Sequence, residues 1–573
     1  MTHRTPPASP SNHRPVKMAR MSDGMDLTDA TTGMEAIPSY RPDAKARRYD
    51  RQLRLWASAG QRSLEAARVL LIGCDATGCQ ALKNLVLPGI AHFTILSPRS
   101  VEAQDVATNF FLHPDTIGRN IAEEAVKLLK ELNPAVEGSA VVKDPAQLLQ
   151  SDPDFFSAYT LIIASNVEPQ LEMDLAEILW KASEKVGGPD VPLICIRNSG
   201  FIGRIEVQLR EHCVSDTHPE QTHTLRVDQP FPELEKAARS LDFDSMDSME
   251  HSHIPWVVIL ARAVSIWREQ HGGQLPNSDD DAERAAFKDM IKSWRHKADE
   301  ENFDEALRSS YQGFTKSELF EDEAVVTVSE NSKNLHILLH ALKQYTSQAP
   351  HLPPISPTLP DMHSSTTSYV ALQNLYRAQF NSDFARFKQI VAETLGRIGL
   401  PADAIPADEI ESFARNSGGV QVIKGRALKE SKEMRGLVAE VYTNVDEQFV
   451  DEEKPIHLGL HLALLAAERF HLVTGRWPGS PEADDLAEEN RQVEEMALSL
   501  LQSVVPGAEG GPETSEAIAE VVRGGFSTLP TTAAFLGGIV AQEAIKLVTN
   551  QYMPLDNTVI IDLVKSSMEK YKF

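Results

Sequence analysis

Residues 69–78 hold the feature that most constrains how this chain can fold. Val69-Leu70-Leu71-Ile72 is an apolar run that ends at Gly73. Gly73-Cys74-Asp75-Ala76-Thr77-Gly78 follows, and Cys79-Gln80-Ala81-Leu82-Lys83-Asn84-Leu85 opens a helix at once. This is the strand–turn–helix context of G-x-G-x-x-G. In that motif the middle glycine lets the backbone approach a pyrophosphate, and the helix N-terminus attracts the anion. Asp75 stands where that glycine belongs and adds both a Cβ and a negative charge. The turn keeps the fold and loses the nucleotide.

Around this turn, strands and helices alternate from 41 to 205. The apolar runs predict strands at 68–72, 92–96, 159–164 and 192–196, with helices near 78–86, 118–132 and 169–186. Near-continuous apolar strands separated by helices predict a parallel sheet covered on both faces. Residues 201–209 alternate at period two and read as one more strand.

From about 210 to 520 long amphipathic helices take over, at 255–271, 284–296, 333–345, 366–398, 456–474 and 484–504. Two of them run into Gly-x-x-Pro, at Gly273/Pro276 and Gly475/Pro478, which is a C-cap followed by a stop. A pair of similar helical units and chance explain that likeness equally well. The Pro-rich stretch 349–360 reads as a surface loop. His457 and His461 lie four apart on a helix but lack the glutamate of H-E-x-x-H, so they read as ordinary helix residues. At 531–549 a helix of small residues appears, and Asn557–Asp562 reads as a strand. The simplest architecture is an α/β domain completed by the C-terminal segment, with a helical domain inserted in the middle.

Charge and cysteine usage narrow the function. A net charge of −26 argues against nucleic acid as a partner. No apolar run reaches the roughly 18 residues of a membrane span, so no membrane is expected. Four cysteines in 573 residues, Cys74, Cys79, Cys195 and Cys213, indicate a reducing compartment. The first three read as small buried hydrophobes. None makes C-x-x-C, so no zinc site is expected. Cys213 follows His212, which can lower a thiol pKa, but residues adjacent in sequence seldom face each other usefully. Residues 1–40, rich in Pro, Ser, Thr and Met, read as a disordered tail.

Three further segments carry a resemblance. Tyr49-Asp50-Arg51-Gln52-Leu53-Arg54-Leu55-Trp56 directly precedes the first strand, Lys83-Asn84-Leu85-Val86-Leu87-Pro88-Gly89-Ile90 ends the first helix, and Ala533-Ala534-Phe535-Leu536-Gly537-Gly538-Ile539-Val540-Ala541-Gln542-Glu543 lies near the end. With the Gly-rich turn, they resemble the ubiquitin-like-modifier activating enzymes over residues 45–573. The resemblance implies an α/β fold: a Rossmann-like (ThiF/MoeB-type) parallel-sheet adenylation domain, here degenerate, with a large, mainly helical inserted domain. It divides the chain into a tail (1–40), the first part of the adenylation domain (41–209), a helical insert in the place of the catalytic-cysteine domain (210–520) and a completing segment (521–573).

Active members of that family bind Mg-ATP through a recurring set of side chains. The ribose-binding aspartate falls at Ser97 and the arginine of Asn-Arg-Gln at Asn109. The lysine of Gly-x-x-Lys-Ala falls at Ile121, and the metal-binding aspartate at Ser165. With Gly73, Asp75 and Gly78 these positions outline a degenerate site. Each missing charged contact is worth roughly 1.5–3 kcal/mol. Losing most of them moves a micromolar site past about a millimolar. The resemblance therefore implies no cofactor and no metal on this chain, with ATP and Mg held by the partner subunit.

Arg51 is retained. In the family this arginine reaches across a pseudo-symmetric interface into the partner's ATP site and acts in trans like an arginine finger. The plainer reading is a surface arginine on an amphipathic helix. Arg54 and Trp56 are expected at the same partner interface.

The activating enzymes also need a cysteine to carry the modifier as a thioester, and no cysteine follows Cys213. The chain thus resembles the regulatory, non-thioester subunits of the heterodimeric activating enzymes. Thr108-Asn109-Phe110-Phe111-Leu112, Asp228-Gln229-Pro230-Phe231-Pro232-Glu233-Leu234 and His251-Ser252-His253-Ile254-Pro255-Trp256 are similar to those serving the Nedd-8 (Rub) modifier. The implied partners are the catalytic subunit carrying the thioester cysteine and the Nedd-8/Rub modifier. The implied location is cytoplasmic and/or nuclear. The competing readings are a pure scaffold subunit of the SUMO-activating enzyme and a free-standing Rossmann-fold nucleotide enzyme. Asp75 and Ser97 speak against the latter.

Overall fold

The computed structural model describes residues 44–185, 188–215, 225–311, 323–432, 458–481, 483 and 485–573. The tail expected at 1–40 and His457 lie outside the described residues. The chain divides into two compact units, Met1–Asp50 and Arg51–Phe573. The described part of the first includes one short helix, Ala44–Arg48.

Ten strands are described in the second unit: β1 (Arg68–Ile72), β2 (His92–Leu96), β3 (Glu137–Val141), β4 (Leu161–Ser165), β5 (Leu193–Ser199), β6 (Ile202–Gln208), β7 (Glu211–Val214), β8 (Gln421–Lys424), β9 (Thr558–Asp562) and β10 (Ser567–Tyr571). Eight of them form one sheet in the order β10-β9-β6-β5-β4-β1-β2-β3. Strands β3, β2, β1, β4 and β5 are parallel, in register pairs such as Leu70↔Thr94 and Leu70↔Ile162. This is the expected parallel sheet, and beyond β5 it is extended by β6, β9 and β10, which join antiparallel. The reason is local. Only Gly200 (φ +56) and Phe201 separate β5 from β6, and so short a link makes a hairpin rather than a helical crossover.

Alternate residues of one strand feed two cores. Val69, Leu71, Ile95 and Ile163 pack with Leu82, Leu85, Leu536 and Val540 on one face. Leu70, Ile72, Ile162 and Leu193 pack with Leu175 and Leu179 on the other. This two-faced burial explains why the strands read as unbroken apolar runs. The helix Pro530–Thr549 is long and apolar enough to cross a membrane by length and composition alone, which the sequence reading did not find. Here it packs on the helix Ala76–Val86. A Cβ on Gly537 would lie 2.8 Å from the backbone nitrogen of Ala81, so the absent side chain sets the closeness of the two helices.

The helical region is not one body. Helices Trp256–Gln270, Asp281–Ser293, Asn334–Thr346 and Thr366–Arg397 share one core with residues from Cys213 to Val420. Helices Leu458–Thr474, Leu486–Val504 and Pro512–Gly524 instead pack with Ile202, Ile560, Tyr571 and Phe573 of the sheet. One core of the expected 210–520 insert thus runs from Cys213 to Val420, while its last three helices share a core with the sheet. The helical body is entered through β7 and left through β8. These two pair antiparallel as a two-stranded ribbon, His212 opposite Ile423.

The Pro-rich stretch is also corrected. Leu352, Ile355 and Leu359 are buried, so the loop threads the helical core instead of lying on the surface. A buried loop needs its backbone polar groups satisfied. Arg226 donates to the carbonyl of Pro353 at 2.7 Å, and Asp383 accepts the Ile355 N–H at 3.0 Å. Arg226 and Asp383 in turn pair at 2.8 Å.

Candidate functional site

The carboxyl ends of β1, β2 and β4 converge at the point where strand order reverses, the usual ligand crevice of such sheets. Gly73 takes φ +83, and a Cβ there would meet the Ser165 carbonyl oxygen at 2.5 Å. Gly78 is constrained by packing alone, since its Cβ would lie 2.7 Å from a Leu71 methyl group. Both outer glycines of the motif thus keep their structural duties, a tight turn and close helix–strand packing.

Asp75 does more than block the turn. It is the N-cap of the helix Ala76–Val86. One carboxylate oxygen accepts the Gly78 N–H at 3.0 Å, and the other accepts the Asn166 side-chain amide at 2.7 Å. The negative charge sits where the helix dipole favours an anion. Asn166 takes φ 48, a left-handed conformation that asparagine tolerates better than most residues. Its amide also reaches Asn198 Oδ1 at 2.6 Å, and its own Oδ1 accepts the Asn198 N–H at 2.9 Å. Asn198 continues to Thr77 and Thr528. The helix N-terminus, where such a turn would receive a phosphate, is capped by the protein's own carboxylate, which is tied into a side-chain network. Asn166, Asn198 and Thr77 were not singled out from the sequence. The one signal available was a short amide directly after the strand that ends at Ser165.

The other replaced positions come together around this turn. Ser97 is buried, and its carbonyl accepts the Asn120 side-chain amide at 3.1 Å. Asn109 is buried with its amide on Cys79 Sγ at 3.3 Å and its oxygen on the Phe111 N–H at 3.0 Å. Ile121 is fully buried, its backbone carbonyl facing Cys74 Sγ at 3.7 Å. Ser165 is buried, and its hydroxyl has no hydrogen-bond partner among the described residues. Uncharged side chains turned into the core stand where the resemblance placed charged ones. Among the described residues no three His, Cys, Asp or Glu side chains group as a metal would need.

All four cysteines are buried. The Cys74 thiol is pushed well up by its contact with Cys79 and by burial. Burial and nearby Glu211 push Cys213 up as well. His212 does not assist it, because neighbours on a strand point to opposite faces. Burial and Lys333 hold that histidine neutral, down to about 4.

Arg51 sits on a different element. The helix Asp50–Ala66 breaks at Trp56 and Ala57, where Ala57 takes φ 55 and ψ −173. The arm before the break exposes Arg51, Arg54 and Leu55, spaced i, i+3 and i+4 on one face. Trp56 is corrected from the expected interface position, because its indole is buried in this chain's own core. Its Nε1 donates to Gln61 at 3.2 Å, and its carbonyl accepts the Gln551 amide at 3.0 Å. Trp56 anchors the break that carries the arm.

A second polar centre lies beneath the sheet. Arg197, Arg204 and Lys432 meet Glu172, Glu206 and Glu468, three cations against three anions, nearly all buried. Arg204 Nη2 lies 2.5 Å from Glu468, and Lys432 Nζ lies 2.9 Å from Glu172. Burial alone would raise the Glu468 pKa, but Arg204, Lys432 and Arg197 outweigh it and hold the group well below the usual carboxylate range. Burial and Arg204 lower His461 to about 3. The ring of His461 stacks on Phe573 at 4.4 Å. This cluster ties the helix Leu458–Thr474 to the sheet.

Residues 49–573 match the model of the ThiF family. A NEDD8-activating enzyme E1 regulatory subunit of Xenopus laevis is 35% identical, over 90% of this chain and 96% of that relative. One of Gallus gallus is 35% identical over 91% and 97%. One of Saccharomyces cerevisiae is 26% identical over 92% and 99%. The chain belongs to the ThiF family, among the NEDD8-activating enzyme E1 regulatory subunits.

Proposed function

We propose that this chain is the non-adenylating half of a heterodimeric NEDD8-activating enzyme. It supports ATP-dependent adenylation and thioester formation on a catalytic partner that holds ATP, magnesium and the thioester cysteine. The observation that carries the reading is the Asp75 carboxylate on the helix N-terminus, bound to the Gly78 N–H at 3.0 Å. A site that fills its own phosphate position does not adenylate. The exposed Arg51 arm gives the chain a way to act on another subunit's phosphates, because a guanidinium is permanently charged and forked. Arg54 shares that face and belongs to the same interface. Four reduced, buried cysteines fit a cytoplasmic or nuclear setting.

The test is reconstitution. Co-expression with a catalytic subunit should give a stable complex that forms a thioester with NEDD8 and not with ubiquitin or SUMO. Equal charging of SUMO, or NEDD8 charging by the catalytic subunit alone at the same rate, would overturn the reading.

A further inference from the structure

The helical body carries a groove of about 890 Å³ that none of the above uses. One wall is the stretch from Ala237 to Val258, and the other is the first turns of the helix Thr366–Arg397. Leu241, Met246, Ile254, Val258, Leu372 and Leu375 make its lining largely apolar. Met249 stands at it, a residue 75% exposed. A large exposed apolar side chain beside a concave apolar surface marks an interaction site. Methionines adapt to varied partners because they are unbranched and polarizable.

Charge narrows the partner. Glu250 is the one carboxylate in the lining, which holds no lysine or arginine. The segment 241–250, which gives the lining Leu241, Met246, Met249 and Glu250, also exposes Asp242, Asp244 and Asp247 and has no lysine, arginine or histidine. Arg239, beside the same wall, is already paired with Glu235 and Glu269. The opposite wall offers only Ser and Thr hydroxyls above Ala371, Leu372 and Leu375. An apolar trough with a negative rim suits an amphipathic helix whose apolar stripe enters the trough while its lysines and arginines meet the rim. We propose that this groove docks a basic amphipathic helical segment of a partner protein.

The probe is a fluorescent peptide of about 15 residues, with leucines at i, i+3, i+4 and i+7 and lysines elsewhere. Anisotropy is read against the full chain in about 0.15 M salt. Binding near about 10 µM is expected, with the same peptide carrying glutamate in place of lysine binding at least about tenfold more weakly. Met249→Lys and Ala371→Lys place a cation on each wall at exposed positions, so folding should be unchanged by circular dichroism. Each should weaken binding about tenfold. Equal affinity in both variants would show that the peptide sits elsewhere on the acidic surface and would overturn the proposal. So would equal binding of the glutamate peptide, or no binding at about 1 mM.

Discussion

Asn166 donates its side-chain amide to the Asp75 carboxylate at 2.7 Å, and this contact holds the carboxylate over the first turn of the helix Ala76–Val86. The carboxylate is both cap and plug. On the proposed function, the loss of nucleotide binding is a matter of occupancy as well as of missing contacts.

Asp75→Ala should destabilise the chain by about 0.5–2 kcal/mol, the usual range for a lost N-cap. It should not create an ATP site, because Ser97, Asn109, Ile121 and Ser165 still supply no charge. Thermal unfolding and titration calorimetry check both halves. A wild-type dissociation constant for Mg-ATP tighter than about 0.1 mM would contradict the account.

Arg51→Ala should leave the heterodimer assembled and slow ATP–pyrophosphate exchange in it by roughly 10–10³-fold, less than a full arginine finger because magnesium shares the charge. Arg51→Lys should rescue only part of this, since a point charge cannot replace the fork. Exchange unchanged within about twofold, with the complex intact by gel filtration, would make Arg51 structural.

No NEDD8 thioester should form on this chain. Burial keeps Cys213 protonated, and a thiol must ionise to attack. On a non-reducing gel the reducible adduct should appear only on the catalytic subunit. An adduct on this chain that vanishes in Cys213→Ala would be decisive against the reading.

Acid should loosen the cluster beneath the sheet. His461 has a folded pKa of about 3 against 6.5 unfolded, so between those values the unfolded chain binds the extra proton and stability falls as pH drops. Glu468 adds to the loss below its unfolded value of about 4.3, because its folded pKa is depressed. His461→Phe keeps a ring for Phe573 to stack on and removes the first contribution. Wild type should lose about 1 kcal/mol more than this variant between pH 7.5 and 5.5, read from urea unfolding midpoints. Parallel pH profiles would show that His461 is not held neutral.

Much of this was legible in the chain itself, and the illegible parts have physical reasons. Strands buried on both faces announce themselves, and 68–72 and 92–96 are found where apolar runs predict them. Helices predicted at 366–398 and 484–504 appear at Thr366–Arg397 and Leu486–Val504. The edge strand β3, Glu-Gly-Ser-Ala-Val, was missed because an edge is half exposed and carries no apolar run. The edge strand β10 alternates Met568 and Lys570 outward and escaped for the same reason. Asp75 was visible as an intruder in a glycine turn. Its partner Asn166, and Asn198 behind that, were not, because the three come together only when three strands align. Trp56 looked like an interface residue, and only packing reveals that it faces inward.

The ribbon of β7 and β8 has a consequence for how such a chain can change over time. The peptide leaving Arg210 and the peptide arriving at Gly425 touch, the Gly425 N–H resting on the Arg210 carbonyl at 3.0 Å. Everything between them is an excursion that departs and returns at one doorway. The excursion can be lengthened, trimmed or exchanged without moving a single pairing of the eight-stranded sheet. A lineage can therefore rebuild the surface it shows to partners while inheriting the sheet intact.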